Sequence, residues 1–131
     1  LAGNTQARSI AELADVVARE HGNVHRSGEL NAAAVLRLLE RCDAIRKPER
    51  FTEVLLACEC DARGRLGFEE KPYAPRERLS AALRTALSVE TNELARNAMA
   101  QGRQGKDIGS LIQQARTQAL EATLASDPPA D

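Results

Sequence analysis

Aromatic residues are nearly absent from this sequence: they make up 2% of it, with no tryptophan. Phe51, Phe68 and Tyr73 are too few and too scattered to stack a run of single-stranded bases, which excludes that mode of nucleic-acid binding. Leu, Ala and Val have to build the core, because the hydrophobic content is 43% without rings to fill space. Ala and Leu are strong helix formers and few β-branched runs compete, so the expected fold is all-α, a helical bundle-like array. No apolar run approaches the roughly 20 residues of a membrane helix, so no membrane partner is expected. A net charge of −1 gives no overall pull toward nucleic acid or anionic lipid, and any such binding must come from local stripes.

Cysteine is scarce as well. Cys58 and Cys60 are separated by one residue, which does not match zinc-ligand spacing, and Cys42 makes the set odd. Reduced, mostly buried thiols in a cytoplasmic protein are expected. Leu1-Ala2-Gly3-Asn4 leads directly into an amphipathic pattern with no signal peptide. A start at Leu suggests a piece of something longer. Gly102 to Gly109 reads G-x-x-G-x-x-x-G, neither the P-loop nor the Rossmann spacing, and no strand precedes it. It is expected to be a turn before a helix. No Ser or Cys has a base placed to activate it.

What the chain does contain is organised around one helix. Arg46-Lys47-Pro48-Glu49-Arg50-Phe51 is a basic turn, and Pro48 suits the first turn of the helix that follows. Val54-Leu55-Leu56-Ala57 gives that helix a buried side, and Gly64 and Gly67 end it. Before it, Ser9 to about Glu20 predicts a helix with Ile10, Leu13, Ala14, Val17 and Ala18 on its core face. Ser9 and Glu12 form a capping box there, and Gly22-Asn23 a break. Asn31 caps a helix with Val35, Leu36, Leu38, Leu39 and Cys42 on one stripe, continued by Asp43-Ala44-Ile45. After Pro72 and Pro75 come a long helix broken near Ser88–Thr91, then the glycine turn. A last helix carries Leu111, Ile112, Ala115, Ala119 and Leu120. Residues 126–131 read as a disordered tail.

Two constellations carry chemistry. His21 and His25, four apart, would put two imidazoles on one unbroken helix face near Glu20 and Glu29. Two ligands alone do not hold a catalytic metal, so surface or interface histidines are the plainer reading, and Asp61 is the carboxylate that would join them as metal ligands. The second is basic: Arg41, Arg46, Lys47 and Arg50 against Asp43 and Glu49, extended by Arg63, Arg65, Arg76, Arg78 and Arg84. Composition alone favours a solvated face with internal salt bridges. As a binding surface, arginine forks match phosphate oxygens, and shape and phosphate recognition of a folded RNA suits this pattern.

Three runs add a resemblance: Glu20-His21-Gly22-Asn23-Val24-His25, Asp43-Ala44-Ile45-Arg46-Lys47-Pro48-Glu49-Arg50-Phe51, and Glu59-Cys60-Asp61-Ala62-Arg63-Gly64-Arg65-Leu66-Gly67-Phe68-Glu69. With Pro72-Tyr73 and the Gly102…Gly105…Ile108 turn, they are similar to the C-terminal part of bacterial CCA-adding enzymes. These are tRNA nucleotidyltransferases that also carry an HD phosphohydrolase domain, and the resemblance covers about Ile10 to Leu124. It implies the later part of an HD-type domain in 1–70, a helical tail region in 71–125 and the disordered end in 126–131. It implies a parent enzyme that adds CCA to tRNA through a polymerase-β-like head binding CTP and ATP. That head's glycine-serine motif and aspartate pair have no counterpart here, nor does the adjacent His-Asp doublet. The fragment alone is therefore expected to be inactive.

His21 best matches the later HD-domain histidine, with His25 beside it. Asp61 stands where the last carboxylate is often supplied, for a divalent ion, Mg or a transition metal. The implied partner is the acceptor arm and elbow of tRNA, met by Arg46, Lys47, Arg50, Arg63 and Arg65. The alanine- and glutamine-rich Gln113–Ala119 departs from the family's more basic end. Two rival readings are a self-contained metal-dependent phosphohydrolase using His21, His25 and Asp61, and a helical interaction module forming a homodimer through its late Ala/Leu-rich helices.

Overall fold

The structure is a computed structural model that describes residues 2–65, 67 and 70–126. Of the expected disordered end at 126–131, Ser126 instead closes the last helix and 127–131 lie outside the described residues, as do Leu66, Phe68 and Glu69 of the third motif. Among the described residues six α-helices follow one another: α1 (Ala2–His25), α2 (Ala32–Arg41), α3 (Pro48–Arg63), α4 (Ala74–Ser88), α5 (Thr91–Ala100) and α6 (Gly105–Ser126). A 3-10 turn, Ser27–Glu29, joins the first two, and no strand occurs among the described residues. The all-α expectation holds.

The centre is α2, where Val35, Leu38 and Leu39 are fully buried and Leu36 nearly so. Asn31 caps it as expected, its side-chain oxygen accepting from the Ala34 backbone N–H at 2.9 Å. Its C-terminus departs from expectation: the helix stops at Arg41 instead of running on through Ile45. Asp43 takes φ 55°, its N–H donating to Glu40 O and the Ala44 N–H to Leu39 O. This is a Schellman cap with aspartate where glycine is usual.

α1 and α3 lie side by side in the same direction, tied by Glu12 in the middle of α1 to Arg50 near the start of α3 and by His25–Asp61 near the ends of both. Three expectations for α1 are corrected. It starts at Ala2, so Ser9 is an interior residue and no capping box forms. It runs unbroken through Gly22-Asn23, because Val24 is fully buried and Asn23 Nδ2 donates back to Glu20 at 3.0 Å. Its core face is turned as well: Val16, Glu20 and Val24 point inward, Leu13 and Val17 flank them, and Ile10 is 68% exposed. The rotation follows from Glu20, a carboxylate that is 4% exposed and is held inside by Arg41, whose Nε donates to both its oxygens at 3.2 and 3.1 Å.

Pro48 opens α3 as expected. At its end Gly64 keeps helical φ, and a Cβ there would meet Cys60 O at 3.2 Å; the reversal proper falls on Gly67 at φ 85°. α4 packs on α3, α2 and α6, with Thr85 and Thr123 hydroxyls 3.1 Å apart between α4 and α6. The chain breaks at Val89, whose backbone is extended, as the Ser88–Thr91 signal indicates. One hydrophobic cluster runs from Val16 through α2, α3 and α4 to Leu120. Cys42 and Cys58 are buried in it, and burial pushes their thiols up to about 12 and about 11.

Candidate functional site

Where α1 ends, α3 ends and α4 begins, four chemistry-bearing side chains converge. His21 and His25 stand one turn apart with ring centroids 5.9 Å apart, edge to face. Asp61 arrives from the last turn of α3, and its Oδ2 lies 3.0 Å from His25 Nε2. Tyr73, placed by the proline-bounded connector, brings its hydroxyl to 2.7 Å from His25 Nδ1. The structure therefore brings the histidine pair and Asp61 together and adds Tyr73, which the residue pattern does not mark as a site residue. Its signal was faint: the chain's only tyrosine, held between Pro72 and Pro75.

The electrostatics are consistent with this geometry. The hydrogen bond from His25 holds the Asp61 carboxyl below the usual carboxylate range, helped by Arg65 at 3.6 Å. Burial, with Cys58, Asp61 and Glu59 nearby, pushes the Tyr73 phenol up, so it keeps its proton and donates.

These bonds separate the two histidines as metal ligands. Both ring nitrogens of His25 are engaged, one by Tyr73 and one by Asp61, so it has no lone pair to spare. His21 is different: its Nδ1 donates to Val17 O at 3.0 Å and Ala18 O at 3.2 Å. That fixes the tautomer with the Nε2 lone pair available, the usual arrangement behind a ligating histidine. Among the described residues no group of three or more His, Cys, Asp or Glu side chains is arranged to hold a metal ion. Without such a group the purified chain is expected to retain well under one equivalent of divalent metal after dialysis against Mg, Mn or Zn. Stoichiometric metal by elemental analysis, lost in His21→Ala, would overturn this and support a self-contained site.

The basic residues divide into two groups at opposite ends of α3, about 24 Å apart for 16 residues at 1.5 Å each. At the start, the Arg46 side chain is 79% exposed and only loosely paired with Asp43 at 3.7 Å. Lys47 reaches Glu12 at 3.7 Å. Arg50 is instead 15% exposed, clamped to Glu12 at 3.1 Å and near Asp43 at 4.0 Å. It fastens α3 to α1 more than it faces solvent. At the far end Arg65 is exposed, while Arg63 and Arg76 each take one oxygen of Glu59 at 2.7 Å. Those two guanidinium groups hold the Glu59 carboxyl below its ordinary range.

Comparison with known proteins gives a consistent answer. A protein of Paracidovorax citrulli named multifunctional CCA protein is 62% identical over 119 residues, 91% of this chain and 28% of its own length. One of the same name from Variovorax paradoxus is 66% identical over 113 residues, covering 86% of this chain and 27% of its own. A more divergent one, from Leptothrix cholodnii, is 50% identical over 120 residues, 92% of this chain and 29% of its own. The chain is homologous to a C-terminal portion of these proteins and spans a little over a quarter of their length. No family model and no solved structure matches it.

Proposed function

We propose that this chain is the tRNA-holding helical part of a CCA-adding tRNA nucleotidyltransferase, the enzyme that builds and repairs the 3′-terminal CCA of tRNA. The observation that carries the reading is identity of 50% to 66% with multifunctional CCA proteins along most of the chain. Nucleotidyl transfer, with CTP and ATP, belongs to the head of the parent enzyme, and this part alone transfers nothing. Residues 1–70 carry the HD-derived histidine cluster and 71–125 the tail that packs behind it.

Arg46, Lys47 and Arg65 supply phosphate contacts in this reading. Their ion pairs are 3.6 or 3.7 Å long and solvent-exposed, worth about 0–1 kcal/mol each, so a phosphate displaces the carboxylate at little cost. Arg50 acts behind them as the clamp of α3 on α1, and Arg63 and Arg76 share the Glu59 carboxylate where α4 meets α3. Among the described residues His21 is the histidine with a nitrogen left for a divalent metal, with the Asp61 carboxylate near it, and the remaining ligands come from elsewhere in the parent. Such an ion polarises a phosphate ester and acidifies a bound water. His25, Asp61 and Tyr73 keep the end of α1 in register beside it.

The test is titration of the chain with folded tRNA across a range of salt, with duplex DNA as the control. Phosphate contacts predict a loss of affinity of about 0.7–0.9 log units per contact for each tenfold rise in salt. A preference for tRNA over duplex, weakened about threefold or more in the pair Arg46→Ala, Arg65→Ala, is expected. Equal binding of the two nucleic acids, or none at low salt, would remove the RNA-holding role.

A further inference from the structure

The outer face of α4 forms a groove of about 920 Å³ that continues onto the end of α3. Four arginines line it, Arg63, Arg76, Arg78 and Arg84, against two carboxylates, Glu59 and Glu77. Glu59 is saturated, each oxygen taken by one guanidinium. Arg78 and Arg84 have no carboxylate partner among the described residues, although Arg78 is half-buried. An arginine that gives up water without gaining an acid is held ready for an anion. The basic turn at the start of α3 is less positive, since Arg46, Lys47 and Arg50 face Asp43 and Glu12.

We propose that this groove is a second RNA site, in which Arg78 and Arg84 bind phosphates of the tRNA backbone; it rests on the tRNA-holding reading. The two lie six residues apart on α4, about 9 Å along its axis, a span that suits successive positions on a polymer. The groove is open along its length, and the one ring among its lining residues, Tyr73, lies at its end, half-buried beside the His25 imidazole. A small nucleotide needs an enclosed, largely apolar pocket. A backbone contact needs only forks aimed at phosphate, and positions the RNA without reading its sequence.

Binding of folded tRNA to the 131-residue chain, followed through a salt series, tests this with Arg78→Ala, Arg84→Ala, their double variant and Arg96→Ala. Arg96 is an exposed α5 residue outside the groove, so its variant removes the same charge elsewhere. Each groove variant is expected to weaken binding about three- to tenfold and to lower the salt slope by about 0.7–0.9, with the double variant losing both increments. Arg96→Ala should stay within twofold, and circular dichroism should show all variants folded. A double variant that binds like the parent with the same slope overturns the groove and leaves the tRNA role standing. Absence of tRNA binding by the parent overturns both. Displacement of tRNA by micromolar ATP would also overturn the proposal, marking a nucleotide site.

Discussion

Arg41→Ala should destabilise the fold by about 2–3 kcal/mol, an unusually large effect for an arginine whose side chain is nearly half exposed. The cost arises on the other partner. Glu20 sits in the core beside Val16 and Val24, and without Arg41 its nearest cation is Arg19 at 3.8 Å. Breaking a fully buried pair from one side costs about 3–5 kcal/mol, and the exposure of Arg41 lowers that figure here. The double change Glu20→Leu, Arg41→Met should recover most of the loss, because no charge is then stranded. Urea unfolding followed by helical circular dichroism measures all three. A loss below about 0.5 kcal/mol for Arg41→Ala would show that Glu20 is hydrated and that the pair does not set the rotation of α1.

That rotation also marks where local pattern stopped being informative. Periodicity placed Ile10, Ala14 and Ala18 on the core face because a glutamate was counted as polar and therefore outward. Only the pairing of Glu20 with Arg41, 21 residues away, makes inward placement of a charge acceptable. Three local signals held: Asn31 caps α2, Pro48 opens α3, and the chain breaks at Val89; the Ser9–Glu12 capping box did not, because α1 starts at Ala2. Gly22-Asn23 misled because glycine permits a break without requiring one, and buried Val24 kept the helix going. Asp43 misled in the opposite direction, ending α2 early with a cap that a glycine would have announced.

The candidate site divides along the same line. His21 and His25 share a face because four residues are nearly one helical turn. Asp61 and Tyr73 reach His25 across 36 and 48 residues, a separation that no local spacing encodes. The residue pattern offered Asp61 as a carboxylate and the motif resemblance strengthened it, but neither gives its reach to His25. For Tyr73 only the structure shows that the two prolines hold its hydroxyl against the imidazole. The arginines were all visible, but which of them are held depends on Glu12, brought to Arg50 by the packing of α1 on α3, and on Glu59 of α3, which takes Arg63 of its own helix and Arg76 from α4.

Phe51→Ala is expected to have a larger effect, about 3–5 kcal/mol, because it removes a whole ring from a site that cannot collapse around the gap. Phe51 is 1% exposed on α3 and lines the cleft of about 310 Å³ between α3 and α4, opposite Leu83 and Leu87. It stands where the helices of the first 70 residues meet those that follow. The core is one cluster from Val16 to Leu120, so loss at this junction should lower the stability of both parts together. Circular dichroism reports all six helices, whereas Tyr73, the sole tyrosine in a chain without tryptophan, reports by fluorescence on the junction of α1, α3 and α4. Coincident transitions in the parent chain, both shifted to lower urea by Phe51→Ala, are the expected result. The boundary near residue 70 would then separate roles within one folding unit. Two transitions in the parent, with Phe51→Ala moving only the one seen by Tyr73, would show instead that the tail holds its own fold.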